Sequence, residues 1–166
     1  MIKKIIIPVI LFFFSSMAFY SEGNEYLQDF ESVCMDYNED EGKFSEFVSR
    51  MMRKVERKDD ERVFMLLYRF PDGARNFEKA EITLGVILDR FVKAAPPLYI
   101  RIFDGGNCIR EDFDGDEGSF IEFYSLLLES LSKKDAALRG IPVIMFSAPE
   151  YIESGRFRAQ IFIPVA

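Results

Sequence analysis

The 166-residue chain contains no histidine. Histidine is the commonest general base near neutral pH, the commonest zinc ligand and the usual ligand of haem iron. Its absence excludes catalytic triads of the Ser-His and Cys-His types. We expect no cofactor and no metal.

Cysteine is scarce, with Cys34 and Cys108 as its two occurrences. In an exported chain, this number permits one disulfide, between Cys34 and Cys108. The alternative is two buried free thiols within strands. The sequence leaves both interpretations open, because a disulfide requires the two Cα atoms to lie within about 7 Å.

Basic residues are outnumbered, since 21 Lys and Arg face 28 Asp and Glu, for a net charge of −7. Nucleic-acid phosphates require a basic surface, so we expect no nucleic-acid partner, whereas a cationic or neutral ligand is compatible. The acidic loop 112–117 has aspartates at its positions 1, 3 and 5. It lacks the glycine and the final glutamate of an EF-hand, and we interpret it as a helix-capping loop.

The first 18 residues have the pattern of a signal peptide. Lys3 and Lys4 precede the apolar run 5–14, and small residues follow it at 15–18. The run is shorter than the roughly 20 residues of a membrane-spanning helix, although an uncleaved anchor is the alternative. We predict a periplasmic or secreted single domain, 19–166, with no transmembrane segment after cleavage. Its oligomeric state is not predicted.

An internal repeat organises the rest of the chain. Residues 41–47, EGKFSEF, return 76 residues later as EGSFIEF at 117–123. Further along, 64–68 corresponds to 142–146, and 82–86 to 161–165. Two copies, about 24–89 and 98–166, predict a domain with pseudo-twofold symmetry, because a solenoid needs at least three repeats.

The apolar periodicity predicts one main helix in each repeat, at 43–57 and at 119–132. Strands are predicted by β-branched and aromatic runs between turn residues, at 26–36, 62–70, 79–88, 98–103, 107–112, 141–147 and 157–165. Asp104-Gly105-Gly106 indicates a tight hairpin, and Pro149 with Gly155 indicates a turn region. The predicted fold is α+β, with a curved antiparallel sheet and two main helices on one face.

Several short motifs support a resemblance to a known family. A glycine precedes an aromatic residue by two positions at each helix start, at 42–44 and 118–120. The second repeat adds Gly-Ile-Pro at 140–142, Pro149, and Pro-Val at 164–165. In this layout the chain resembles the GyrI-like effector-binding domain of the SOUL/GyrI superfamily.

The resemblance implies two units packed about a pseudo-twofold axis, with a cleft for small, often apolar or cationic molecules. It also implies that some relatives hydrolyse ligands with acidic and tyrosine residues. Two features depart from the family. Its regulators carry a separate DNA-binding domain, which we do not expect in this chain. The SOUL branch often binds haem through a histidine, and this sequence has no histidine.

Strand alternation separates one mixed aromatic and charged face from an apolar one. Such a face suits a ligand pocket, which needs flat apolar walls and a few orienting polar groups. The predicted ligand-binding residues are Tyr68, Glu81, Tyr99, Arg101, Phe103, Gln160 and Phe162. The alternative is a solvated sheet face. Glu81 would pair with a cationic ligand or act as an acid or base, or would form an ion pair with Arg101 or Arg158.

These observations lead to three hypotheses of function. The first is an exported, non-enzymatic protein that binds a small molecule in a cleft between the repeats. The second is a hydrolase on the same scaffold, with Glu81 or Glu111 as base and a tyrosine as acid. The third is a structural or interaction protein of the cell envelope.

Overall fold

The computed structural model describes residues 24–37, 42–55, 63–71, 76–88, 94–133 and 139–166. The predicted signal peptide lies outside these residues. Within these ranges, eight strands and three α-helices follow in chain order: β1 Asn24–Leu27, β2 Phe30–Tyr37, α1 Phe44–Lys54, β3 Val63–Arg69, β4 Glu81–Ile87, β5 Tyr99–Phe103, β6 Gly106–Gly115, α2 Glu117–Lys133, β7 Val143–Ser147, α3 Ala148–Ser154 and β8 Phe157–Pro164. In this described part, no helix has the length and apolar character needed to cross a membrane.

All strand pairs are antiparallel, in the order β1-β6-β8-β7-β3-β4-β2-β5. The order is symmetric, because β2, β3 and β4 of the first repeat occupy the same places as β6, β7 and β8 of the second. The symmetry axis passes through the pair Leu66–Ile144, where β3 meets β7. The α+β class, the antiparallel sheet and the pseudo-twofold symmetry predicted from the sequence are confirmed.

The strand pairing also corrects the repeat alignment in the last strand. Asp36 lies opposite Thr83 in the first repeat, and Asp112 lies opposite Gln160 in the second. Thr83 is therefore equivalent to Gln160, two residues away from the predicted correspondence. The strand pattern could not reveal this error, because a shift of two residues keeps every side chain on the same face of the sheet.

The hairpin predicted at 104–106 does not form. Instead of pairing with each other, β5 pairs with β2 and β6 pairs with β1, so the repeats exchange their first strands. The backbones cross where the Gly105 N–H donates to Asp29 Oδ1 at 2.7 Å. A Cβ on Gly105 would lie 2.1 Å from the Leu27 carbonyl oxygen. Gly105 therefore permits two segments of the backbone to approach closely, where the sequence suggested a tight turn.

The larger core lies between the sheet and the helices. The buried side chains of α1 are Phe47, Val48 and Met51, and α2 buries five, which are Phe120, Tyr124, Leu127, Leu128 and Leu131. Both predicted main helices are confirmed within a few residues. α3 forms where the sequence predicted only a turn, and it ends at Ser154, before Gly155 with a φ of +68°. A seven-residue helix is too short to give a clear periodic signal.

A second, smaller apolar cluster lies on the opposite face of the sheet. It consists of Cys34, Met65, Leu67 and Val143. Both cysteines are buried free thiols. Cys34 lies opposite Tyr99 and Cys108 opposite Glu25, at the two ends of the ladder formed by the exchanged strands, too far apart to bond. Of the two interpretations that the sequence left open, the structure therefore shows the one with two buried free thiols.

Candidate functional site

A cavity of about 520 Å³ opens on the sheet face that carries the smaller cluster. This volume lies within the range of small-molecule sites, about 300–1,000 Å³. Strands β2, β3 and β4 of the first repeat line it together with β5 and Ile141 of the second, so the cavity lies between the repeats. Its lining residues are Asp36, Tyr37, Leu67, Arg69, Glu81, Ile82, Thr83, Tyr99, Arg101 and Ile141.

Strand alternation explains how the polar side chains reach the cavity, whereas the side chains of Tyr37 and Ile82 pack against the helix-side core. In β4, Leu84 and Val86 point into the helix-side core, so Glu81 and Thr83 point the other way. In β5, Tyr99 packs against the smaller cluster, and Arg101, two residues on, shares its face. The sequence predicted this sorting correctly, and three predicted ligand-binding residues, Glu81, Tyr99 and Arg101, do converge.

Asp36 is the central polar group of the cavity. Its Oδ1 accepts hydrogen bonds from Thr83 Oγ1 and from Tyr99 Oη, both at 2.7 Å. Burial, with a further contribution from the Asp36 hydrogen bond, raises the pKa of Tyr99 to about 12. The Tyr99 phenol is therefore a protonated donor at neutral pH. Sequence analysis missed Asp36, because its role depends on the pairing of β2 with β4.

Glu81 does not make either of the ion pairs considered from the sequence. Its carboxylate binds the guanidinium of Arg69, which lies directly opposite on β3. The two side chains are 52% and 66% exposed, so this pair contributes little to stability. Glu81 is thus a carboxylate paired with an arginine at the edge of the cavity.

Arg101 lies over the ring of Phe103, with its guanidinium carbon 5.0 Å from the ring centroid. Phe103 stacks in turn on Phe30, at 4.8 Å between centroids. Within the described ranges, no carboxylate forms an ion pair with Arg101. Phe103 therefore supports Arg101 and does not line the cavity itself.

The other predicted residues lie elsewhere. Tyr68 is on the helix-facing side of β3, where its ring contacts Phe77, Phe120 and Tyr124. Phe162 is 9% exposed and lies opposite Val143. Gln160 lines a different cavity. Tyr68 misses the cavity because of its position in the strand. Its neighbour Leu67 faces the cavity, and adjacent side chains of a strand point to opposite faces.

That different cavity, of about 480 Å³, is the counterpart of the first in the second repeat. Asp112 takes the place of Asp36, but it binds Arg110, and Asp114 binds both Arg156 and Arg158. The hydrogen bond from Arg156 holds the pKa of Asp114 below its usual range. Two carboxylates of the acidic loop, those of Asp112 and Asp114, are thus engaged by arginines. Among the described residues, no group of three or more side chains could hold a metal ion.

On the helix side, the space between the repeats is filled by packed aromatic rings. Tyr151 Oη donates to Glu117 Oε2 at 2.7 Å, and burial raises the pKa of Tyr151. The Tyr151 ring contacts Phe44 and Phe157. This tyrosine and carboxylate pair was not predicted, because Tyr151 belongs to the short helix that the sequence did not reveal.

No protein-family model and no curated protein matches the chain. Solved structures do match its fold. The crystal structure of the EcmrR C-terminal domain aligns at a TM-score of 0.64 with 10% identity, over 87% of this chain and 96% of that one. In the cryo-EM structure of an EcmrR–DNA complex, the TM-score is again 0.64 with 10% identity, over 86% of this chain and 56% of that chain. This chain thus spans little more than half of EcmrR in that complex.

Two proteins of Listeria innocua are also similar. An uncharacterised conserved protein gives a TM-score of 0.55 at 10% identity, over 86% of this chain and 91% of that one. A hydrolase gives 0.54 at 9% identity, over 87% and 91%. At these identities the matches show the fold alone.

Proposed function

We propose that this protein binds a small molecule in the cavity around Asp36 and Tyr99. The observation that carries the proposal is the convergence of Glu81, Tyr99 and Arg101 on one concave space. These residues come from both repeats and were expected to bind a ligand on chemical grounds. The fold shared with the EcmrR C-terminal domain supports the same conclusion. A purely structural envelope protein would require no such cavity.

The cavity suits a ligand with an apolar body and a cationic group. Leu67 and Ile141 offer apolar surface, and the Tyr99 ring adds an aromatic wall. Within the described residues, the Asp36 carboxylate is bound by neutral hydroxyl groups and by no cation. Its negative charge therefore remains to be matched by a ligand.

Thermal-shift measurements with hydrophobic amines and tetraphenylphosphonium test this proposal. Ligand binding should raise the melting temperature of the wild type in a concentration-dependent way. Asp36→Asn should abolish the rise, whereas Asp112→Asn, at the equivalent position of the second repeat, should retain it. The proposal fails if no amine or phosphonium stabilises the protein, or if both variants lose the response equally.

We propose that the protein is exported, on the basis of the pattern at residues 1–18. N-terminal sequencing of the protein recovered from expressing cells should give a chain that begins near Phe19. Recovery of the protein with its first 18 residues intact would favour the retained anchor instead.

A hydrolase is the second candidate function, favoured by the hydrogen bond between Tyr151 and Glu117. This pair provides a carboxylate and a hydroxyl in one place, as acid–base chemistry requires. One structural neighbour is a hydrolase. Turnover of 4-nitrophenyl esters that disappears in Glu117→Gln and persists in Glu81→Gln would establish it, and no turnover by the wild type would exclude it for these substrates.

A further inference from the structure

Among the described residues that line the cavity, two charged side chains form no ion pair within the protein and are available to a ligand. Four charged residues line it, and two of them, Arg69 and Glu81, neutralise each other. The other two are Asp36 and Arg101, which carry opposite charges and do not bind each other. Resting on the proposed function, we propose that the ligand is a zwitterion, with an ammonium group at Asp36 and a carboxylate at Arg101.

Both groups have free hydrogen-bonding capacity. In the part of the chain that the structure describes, only Oδ1 of Asp36 accepts hydrogen bonds, which leaves Oδ2 for an ammonium group. Arg101 is held by the Phe103 ring, a contact that uses none of its N–H donors. A guanidinium placed in this way can bind a carboxylate through two parallel hydrogen bonds.

The strand register sets the distance between the two charges. Arg101 lies opposite Ser32 on β2, and Asp36 lies four residues further along the same strand and on the same face. Four residues span about 13 Å, and strand side chains stand roughly perpendicular to the sheet. Two ion pairs of about 3 Å each then leave roughly 7 Å between the charges of the ligand. This distance fits charges at the two ends of a molecule, not the adjacent charges of an α-amino acid.

The surface between the charges matches such a molecule. The Tyr99 ring and the buried thiol of Cys34 lie between Arg101 and Asp36. Cys34 is fully buried and does not line the cavity itself. Burial raises the pKa of its thiol to about 11, so it places no charge beneath the Tyr99 ring. The ligand's middle section would therefore lie on apolar surface, while its two ends would be held by opposite charges.

Matched probes test the inference by isothermal titration calorimetry. We would compare 6-aminohexanoate with hexylamine and hexanoate, and 4-(aminomethyl)benzoate with benzylamine and benzoate. Each zwitterion should bind roughly tenfold or more tightly than the probes with one charge. It should also bind more tightly than 2-aminohexanoate, an isomer of 6-aminohexanoate with adjacent charges.

Single variants assign each end of the ligand. Arg101→Gln should weaken zwitterion binding to the level of the amine and leave amine binding unchanged, whereas Asp36→Asn should weaken both. Arg158→Gln, an arginine of the second cavity, serves as the control and should have no effect. If amines bind through Asp36 as tightly as the zwitterions do, this inference is overturned and the proposed function stands. If no probe binds, both are overturned.

Discussion

Phe120 and Phe44 occupy equivalent positions of the two repeats, but the structure predicts very different effects of their removal. Phe120 is 1% exposed, and its ring lies 4.8 Å from that of Phe157 and 5.2 Å from that of Phe113. Phe44 is only half-buried, and its nearest ring centroids lie 6.0 Å away. The same substitution therefore opens a closed cavity in one repeat and a partly solvated one in the other.

Truncating a fully buried phenylalanine to alanine costs about 3–5 kcal/mol, because the lost transfer free energy adds to that of the cavity. We expect Phe120→Ala to fall in this range. Phe44→Ala should cost about 1–2 kcal/mol, since a partly exposed ring has less apolar surface to lose. For a chain of this size, each kcal/mol lowers the melting temperature by about 2–4 °C. Phe120→Ala should therefore melt roughly 10 °C below the wild type.

Urea denaturation provides the measurement. Unfolding can be followed by far-UV circular dichroism and by tyrosine fluorescence, since the chain has seven tyrosines and no tryptophan. The slope of the unfolding free energy against urea should be unchanged in both variants, which would show that the native and unfolded states are otherwise comparable. Equal losses of unfolding free energy for the two variants would refute the unequal burial on which the reasoning depends.

Three further predictions concern the sheet, the cavity and a helix terminus. Gly85→Ala should lower the free energy of unfolding by about 1–3 kcal/mol, because the new Cβ would lie 2.3 Å from Ser32 Oγ. Urea denaturation measures this loss. Gly140→Ala is the control and should be near neutral, because its new Cβ would lie 3.7 Å from the nearest atom. The raised pKa of Tyr99 means that its contribution to stability is complete below pH 10 and is lost as the pH rises through about 12. The urea midpoint of Tyr99→Phe should therefore fall less steeply than that of the wild type between pH 10 and about 12. An equally steep fall would contradict the raised pKa of Tyr99. Asp116 caps α2, and hydrogen bonds to its carboxylate hold its pKa below 3.8. Asp116→Ala should be less stable than the wild type at neutral pH, and the difference should disappear as the pH falls below 3.8; a difference that persisted at pH 2 would argue against the cap.

The local features of the fold were predictable because they depend on short-range periodicity. The helical spacing of apolar residues located α1 and α2, and the alternation in β4 correctly separated Glu81 and Thr83 from the apolar face. The near-identical heptapeptides at 41–47 and 117–123 revealed the duplication. Each of these signals follows from the geometry of one helix or one strand, and needs no knowledge of its neighbours.

Pairing between distant strands was not predictable in the same way. In the sequence, Gly105 looks the same whether it forms a hairpin or allows two segments of the chain to cross. Only its contact with Leu27 in the structure distinguishes the two arrangements. The sequence offered Arg101 and Arg158 as partners of Glu81, but the register of β3 with β4 places Glu81 opposite Arg69. Asp36 became the centre of the cavity through the register of β2 with β4 and of β2 with β5.

By itself, the sequence determined that the domain is duplicated, that its core is apolar and aromatic, and that no chemistry based on histidine is available. The tertiary structure decided which strands are neighbours, and thus which charges neutralise each other and which remain for a ligand. The physical reason is that side-chain direction is set within a strand, whereas strand register results from the packing of the whole sheet. Tyr68 and Glu81 are an example. They lie on adjacent strands, but the Tyr68 side chain packs in the helix-side core and the Glu81 side chain lines the cavity on the opposite face.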